Sequence, residues 1–73
     1  QFFDYKSKLQ EYIQADTDSK LIYDTIKEEG KPNEKIFTRC VKLDNIVLGI
    51  GIGTSKKLAD QEAAKNALTK LAK

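Results

Sequence analysis

The stretch Leu48-Gly49-Ile50-Gly51-Ile52-Gly53 restricts the fold more than any other part of this chain. Apolar residues alternate with glycine at the two-residue period of a strand, so all three glycines share one face. Glycine weakens a strand, and a face made of it implies that something approaches the backbone closely. The segment that follows supplies a candidate. From about Ser55 to Ala72, the residues Ala59, Ala63, Ala67 and Leu71 recur every four positions, flanked by Ala64 and Leu68. That spacing predicts a helix whose alanine stripe lets it lie near a sheet.

The elements upstream complete the plan. Asp4 is a good N-cap for a helix running to about Gln14. Tyr5, Leu9, Tyr12 and Ile13 form its apolar stripe, while Ser7, Gln10, Glu11 and Gln14 form a second face that is polar yet nearly uncharged. Their amide and hydroxyl groups both donate and accept hydrogen bonds. A loop is expected at Asp16-Thr17-Asp18-Ser19. Three strand-like runs follow, at Leu21–Glu28, Ile36–Leu43 and Ile46–Gly53. In the first, Leu21, Tyr23 and Thr25 compete with Ile22 and Ile26 for the inner face. Gly30-Lys31-Pro32-Asn33 breaks the chain between the first two runs. Asp44-Asn45 joins the second to the third as a two-residue hairpin turn whose residues tolerate φ > 0. The expected fold class is therefore α+β, in the order α-β-β-β-α. Two helices cover one face of a three-stranded antiparallel sheet in a single domain spanning residues 1–73.

Several function classes lose support from composition. The 73 residues include one cysteine, Cys40, and no histidine. A structural zinc site, which takes about four Cys or His ligands, has no ligand set here. The usual general base is missing too, and Cys40 reads as a small semi-buried strand residue with no histidine to activate it. The carboxylates are scattered through polar stretches. A lone cysteine suits a reducing compartment. No apolar run nears the ~18 residues that span a bilayer, and no signal-peptide layout opens the sequence.

The net charge of +2 is mild, but its distribution is uneven. Residues 1–53 hold 8 basic and 9 acidic side chains, whereas residues 54–73 hold 5 basic and 2 acidic. Charge alone leaves a solvated helix face and an anion-binding footprint equally open. Thr54-Ser55-Lys56-Lys57 sharpens the choice. A helix N-terminus carries about half a positive charge and favours acidic neighbours, so each lysine there costs about 0.3–1 kcal/mol. An anion at that end explains the arrangement, because backbone N–H groups, two ammonium groups and two hydroxyls would converge on phosphate. The alternative is two lysines that extend into water. A nucleotide loop does not fit: the glycines lack the dinucleotide spacing, and Gly53-Thr54-Ser55-Lys56 is not the Gly-Lys-[Ser/Thr] of a P-loop.

Asp4-Tyr5-Lys6-Ser7-Lys8-Leu9-Gln10-Glu11 resembles the opening of a double-stranded RNA-binding domain. Leu48-Gly49-x-Gly51-x-Gly53-x-Ser55-Lys56-Lys57-x-Ala59 with Ala63-Ala64 resembles its C-terminal signature. The resemblance covers essentially the whole chain. Asp4-Tyr5-Lys6-Ser7, and Asp60 followed by Gln61, are most like the C-terminal domain of ribonuclease III; many other members carry a third lysine where Asp60 stands. The resemblance implies three RNA contacts. Ser7, Gln10, Glu11 and Gln14 would enter a minor groove. Gly30, Lys31, Pro32 and Asn33 would reach the next one. Thr54, Ser55, Lys56 and Lys57 would hold phosphates across the major groove between them, a span of about 16 base pairs. It also implies a cytoplasmic, homodimeric parent that hydrolyses duplex RNA with Mg²⁺ in a separate nuclease domain. No cofactor and no catalytic residue is expected in this segment.

This sequence departs from the family in two places. The loop commonly reads Gly-Pro-x-His, and here it is Gly30-Lys31-Pro32-Asn33. Ile50 and Ile52 stand where ribonuclease III often has charge, either as an apolar patch for another domain or as tolerated surface residues. Two rival functions follow: the same domain in a non-catalytic adaptor protein, and a protein-interaction module working through the outer sheet face.

Overall fold

Two tight turns fold the middle of the chain into a sheet. Asp44 and Asn45 both take positive φ, 52° and 67°, the backbone that matches a two-residue turn to the twist of its strands. Gly30 has a φ of 100°, and a Cβ there would land on the Glu34 carbonyl oxygen, so this hairpin requires glycine. The computed structural model describes residues 4–14 and 20–71. Their elements are α1 (Tyr5–Gln14), β1 (Leu21–Lys31), β2 (Glu34–Leu43), β3 (Ile46–Gly53) and α2 (Lys56–Leu71). The strands form an antiparallel sheet in the order β1-β2-β3. The α-β-β-β-α order expected from the sequence is present; the Asp16–Ser19 loop and Ala72 lie outside the described residues.

Phe37, Arg39 and Val41 pair with Gly53, Gly51 and Gly49, which places the glycines on the face that α2 covers. A Cβ on Gly49 would sit 2.7 Å from the Ala67 nitrogen, and one on Gly53 would sit 2.7 Å from the Ala59 nitrogen. Helix and strand therefore meet backbone to backbone, as the glycine face and alanine stripe predict. Few bulky groups are buried. Leu9, Ile13, Val41, Ala63, Ala64 and Ala67 make the core, and only Leu9 and Val41 among them are large and fully enclosed. Each large side chain contributes about 2 kcal/mol, so close approach of small residues must do the rest.

Three local expectations are corrected. The first hairpin is longer than its apolar pattern: β1 runs to Lys31 and β2 begins at Glu34, so only Pro32 and Asn33 form the turn. An ion pair between Glu28 and Lys35 carries the ladder past the apolar residues. The competition within β1 is resolved by a bulge between Thr25 and Lys27. Leu21 and Tyr23 pack toward the core, while Ile22 and Ile26 are exposed. A second register shift, between Val41 and Lys42, takes Leu48 out of the simple alternation. Leu48 packs against the core instead of sharing the outer face with Ile50 and Ile52.

The sheet face turned away from the helices exposes Ile22, Val47, Ile50 and Ile52, with Cys40 buried between Asp24 and Ile50 in register. Lys42 Nζ lies 2.7 Å from Asp24 Oδ2 on the same face. Asn66 Nδ2 donates to the Ile50 carbonyl at 2.7 Å, which occupies one acceptor on the β3 edge.

Candidate nucleic-acid interface

The start of α2 is open and cationic. Ser55 caps it: its Oγ accepts the Leu58 N–H at 3.1 Å, and its carbonyl accepts the Ala59 N–H at 2.9 Å. Because the Ser55 oxygen serves the cap, it is the hydroxyl proton that remains to be offered to an anion. The first turn holds no acidic residue, and Thr54, Lys56 and Lys57 are exposed. Lys56 Nζ stands 5.9 Å from the centroid of the Phe37 ring, a loose cation–π contact that orients the ammonium at little cost.

Hairpin β1–β2 reaches toward this helix start. Gly30, Lys31, Pro32 and Asn33 are all exposed, although Gly30 and Lys31 belong to the strand. A cleft of about 300 Å³, lined by Asn33, Glu34, Lys35, Ile36 and Thr54, joins the hairpin tip to the start of α2. Asn33 and Thr54, one residue from each of two expected contact regions, thus share a cleft. Nearby, the hydrogen bond from Lys35 holds the Glu28 carboxyl below its ordinary range, and Lys56 adds a weaker pull.

The third region is the outward face of α1, whose residues do not line that cleft. Glu11 and Gln14 are exposed and Gln10 is half-buried. Ser7 is exposed but committed: its hydroxyl donates to Asp4 Oδ2 at 2.7 Å, and its N–H donates to Asp4 Oδ1 at 3.2 Å. Toward a ligand its hydroxyl is therefore an acceptor, not the two-way group expected from its residue type.

A polar helix face and a cationic helix start on a two-layer fold of this order coincide with a known family. The model of the double-stranded RNA binding motif matches residues 5–71. The chain belongs to that family. Proteins named Ribonuclease 3 are similar to it: the Streptococcus mutans protein is 50% identical over 68 residues, taking in 93% of this chain and 29% of the relative. The Clostridium tetani protein is 52% identical over 65 residues, taking in 89% of this chain and 28% of the relative. The domain thus spans less than a third of the length of these relatives.

In the sequence Asp60 and Gln61 stand only as marks of the subtype; in the structure they tie α2 to β2 and to the start of α1. Asp60 and Gln61 are buried on α2. Asp60 accepts both Arg39 Nε at 2.7 Å and Arg39 Nη2 at 3.2 Å, and Arg39 Nη1 donates to Thr25 Oγ1 at 2.7 Å. Lys6 Nζ lies 3.7 Å from Asp60 and 4.5 Å from the Tyr23 ring centroid, so this lysine is tied inward. Burial first, then the Asp60 and Asp4 carboxylates, push the Tyr23 hydroxyl up to about 12. Gln61 Oε1 accepts the N–H groups of Tyr5 at 2.7 Å and Lys6 at 3.3 Å, and its Nε2 donates to Asp4 Oδ1 at 3.1 Å. A signal for this existed. Asp60 shares a helical row with Ala63, Ala64 and Ala67, which places a carboxylate on the buried side. Among the described residues no group of three or more His, Cys, Asp or Glu could hold a metal ion.

Proposed function

We propose that this double-stranded RNA-binding domain holds the substrate of a ribonuclease III, with its own residues gripping the duplex and the cleavage carried out elsewhere in the parent protein. The observation that carries this is the start of α2, where Lys56 and Lys57 are exposed, no carboxylate shares the first turn, and the Ser55 cap leaves backbone N–H groups of that turn unclaimed by it. Such an end suits phosphate. Lys56, Lys57, Thr54 and the Ser55 hydroxyl proton hold phosphates across the major groove. Gln10, Glu11, Gln14 and the Ser7 oxygen meet 2′-hydroxyls and base edges in one minor groove, and the tip from Gly30 to Asn33 meets the next. The outer sheet face with Ile50 and Ile52 is turned away from both helices and does not compete with these contacts.

The parent we propose is a cytoplasmic homodimer whose nuclease domain uses Mg²⁺ to hydrolyse phosphodiesters. In that parent the part of this domain is to bind and orient the duplex. Titration with duplex RNA, duplex DNA and single-stranded RNA of equal length tests the proposal. Duplex RNA is expected to bind tightest, because only it combines the A-form grooves with a 2′-hydroxyl. Equal affinity for duplex RNA and duplex DNA would remove the minor-groove role of α1.

A further inference from the structure

We infer that Gln61 is a positioning residue, which sets where the polar face of α1 stands relative to Lys56 and Lys57 by capping α1 from α2. This rests on the duplex-RNA reading above. Gln61 is only 8% exposed and is not itself among the proposed RNA contacts. Its amide serves three groups at once, accepting from Tyr5 N–H and Lys6 N–H and donating to Asp4. With Asp4 holding Ser7 N–H, the first three backbone donors of α1 are satisfied, two of them by a side chain from another helix. Only an amide can do this, since a carboxylate in its place could not donate to Asp4.

The apolar contact between the helices leaves their register to such ties. Among the buried residues, α1 contributes Leu9 and Ile13, and α2 answers with Ala63, Ala64 and Ala67. Alanines offer low ridges, and the bulkier Leu68 and Leu71 pack against this core only in the last turn of α2. Polar ties at the two ends add a stop against sliding or turning. Gln61 holds the start of α1, and the Tyr12 hydroxyl donates to the Leu71 carbonyl at 3.0 Å near the other end. Recognition by shape needs the minor-groove and phosphate contacts at a fixed spacing. A residue that sets the spacing governs which duplex fits without touching it.

The test is Gln61→Leu, which keeps an apolar volume and removes all three hydrogen bonds. Wild type and variant are titrated with duplex RNA and duplex DNA of equal length, each at several salt concentrations. RNA affinity is expected to fall roughly tenfold and DNA affinity less, so the preference for RNA shrinks. The salt slope, set by the phosphate contacts of Lys56 and Lys57, stays as it was. A folded variant with unchanged RNA preference overturns the inference. So does an equal loss for both duplexes with a shallower slope, which would report a fold loosened as a whole. If Gln61→Leu does not fold, Gln61→Glu carries the test: it keeps an acceptor for the Tyr5 and Lys6 N–H groups but cannot donate to Asp4, and the RNA preference must still fall. A wild-type domain without RNA preference would instead remove the duplex-RNA reading, and the inference with it.

Discussion

The two helices begin in opposite ways. α1 starts closed: Asp4 and Gln61 take up its first N–H groups, and Lys6 leans inward over Tyr23 toward Asp60. α2 starts open, with one serine cap and two exposed lysines that the helix dipole disfavours. They are also seated differently. α2 lies on glycine and alanine with its backbone against β3, whereas α1 is held by two buried side chains and a few polar ties. A helix end inside a small domain is normally satisfied from within. An end left open and given more positive charge suits an anion arriving from outside.

The seat of α2 gives the largest expected effect. A Cβ on Gly51 would meet the Ala63 nitrogen and the Ala59 carbonyl oxygen, both backbone atoms that cannot turn aside. Gly51→Ala is predicted to destabilise the domain by about 3 kcal/mol, the upper range for overpacking. A domain of this size has only about 4–11 kcal/mol in total, so urea or thermal denaturation will show the loss plainly. A cost below about 1 kcal/mol would mean that α2 can lift from β3, and the contrast between a rigidly seated helix and a tied one would fail.

The open start gives the next effect, on binding and not on folding. Lys56→Ala with Lys57→Ala is expected to weaken duplex RNA binding by tenfold or more, since hydrogen bonds to charged groups contribute about 1.5–3 kcal/mol each. The slope of log affinity against log salt should flatten by about two units, one for each lost phosphate contact. Stability should hold or rise slightly, because two charges that oppose the dipole are gone. An unchanged salt slope would make the open start a mere solvated end.

How much of this could be read in advance followed the range of the interactions. The α2–β3 contact was legible because it depends on residue size at two regular periods, glycine at every second position and alanine at every fourth. The Asp44-Asn45 turn was legible because its backbone demands particular residues. The bulge at Ile26 and the inward turn of Leu48 were not, since a register shift is set by the partner strand. Arg39 and Asp60 are 21 residues apart, and Gln61 is 56 from Tyr5. No local pattern pairs such residues, although the buried row containing Asp60 hinted that one end of a pair was there. Of the candidate site, Lys56 and Lys57 stood out because they break a local rule. The hydroxyls of Ser7 and Ser55 showed their residue type but not how far the helix caps had already engaged them.

The closed start makes the smallest prediction, and its sign can be worked out. Asp4 is exposed, yet hydrogen bonds from the Ser7 hydroxyl first, then the Gln61 amide, then the Ser7 N–H hold its carboxyl at about 2 against an ordinary 3.8. A pKa lowered by folding means that the unfolded chain takes up the proton first as pH falls. The contribution of Asp4 is therefore complete above about pH 4–5 and fades as pH drops toward 2. Solvent screening keeps it small, since the group is exposed. Melting curves of wild type and Asp4→Asn between pH 2 and 6 should differ by a constant amount at the upper end and converge at the lower end. The lysine variants offer the matching control: Lys56→Ala with Lys57→Ala removes no carboxylate and should leave that acid limb in place. Parallel curves for Asp4→Asn down to pH 2 would show that the carboxylate does not close α1, and the difference between the two helix starts would then reduce to the lysines alone.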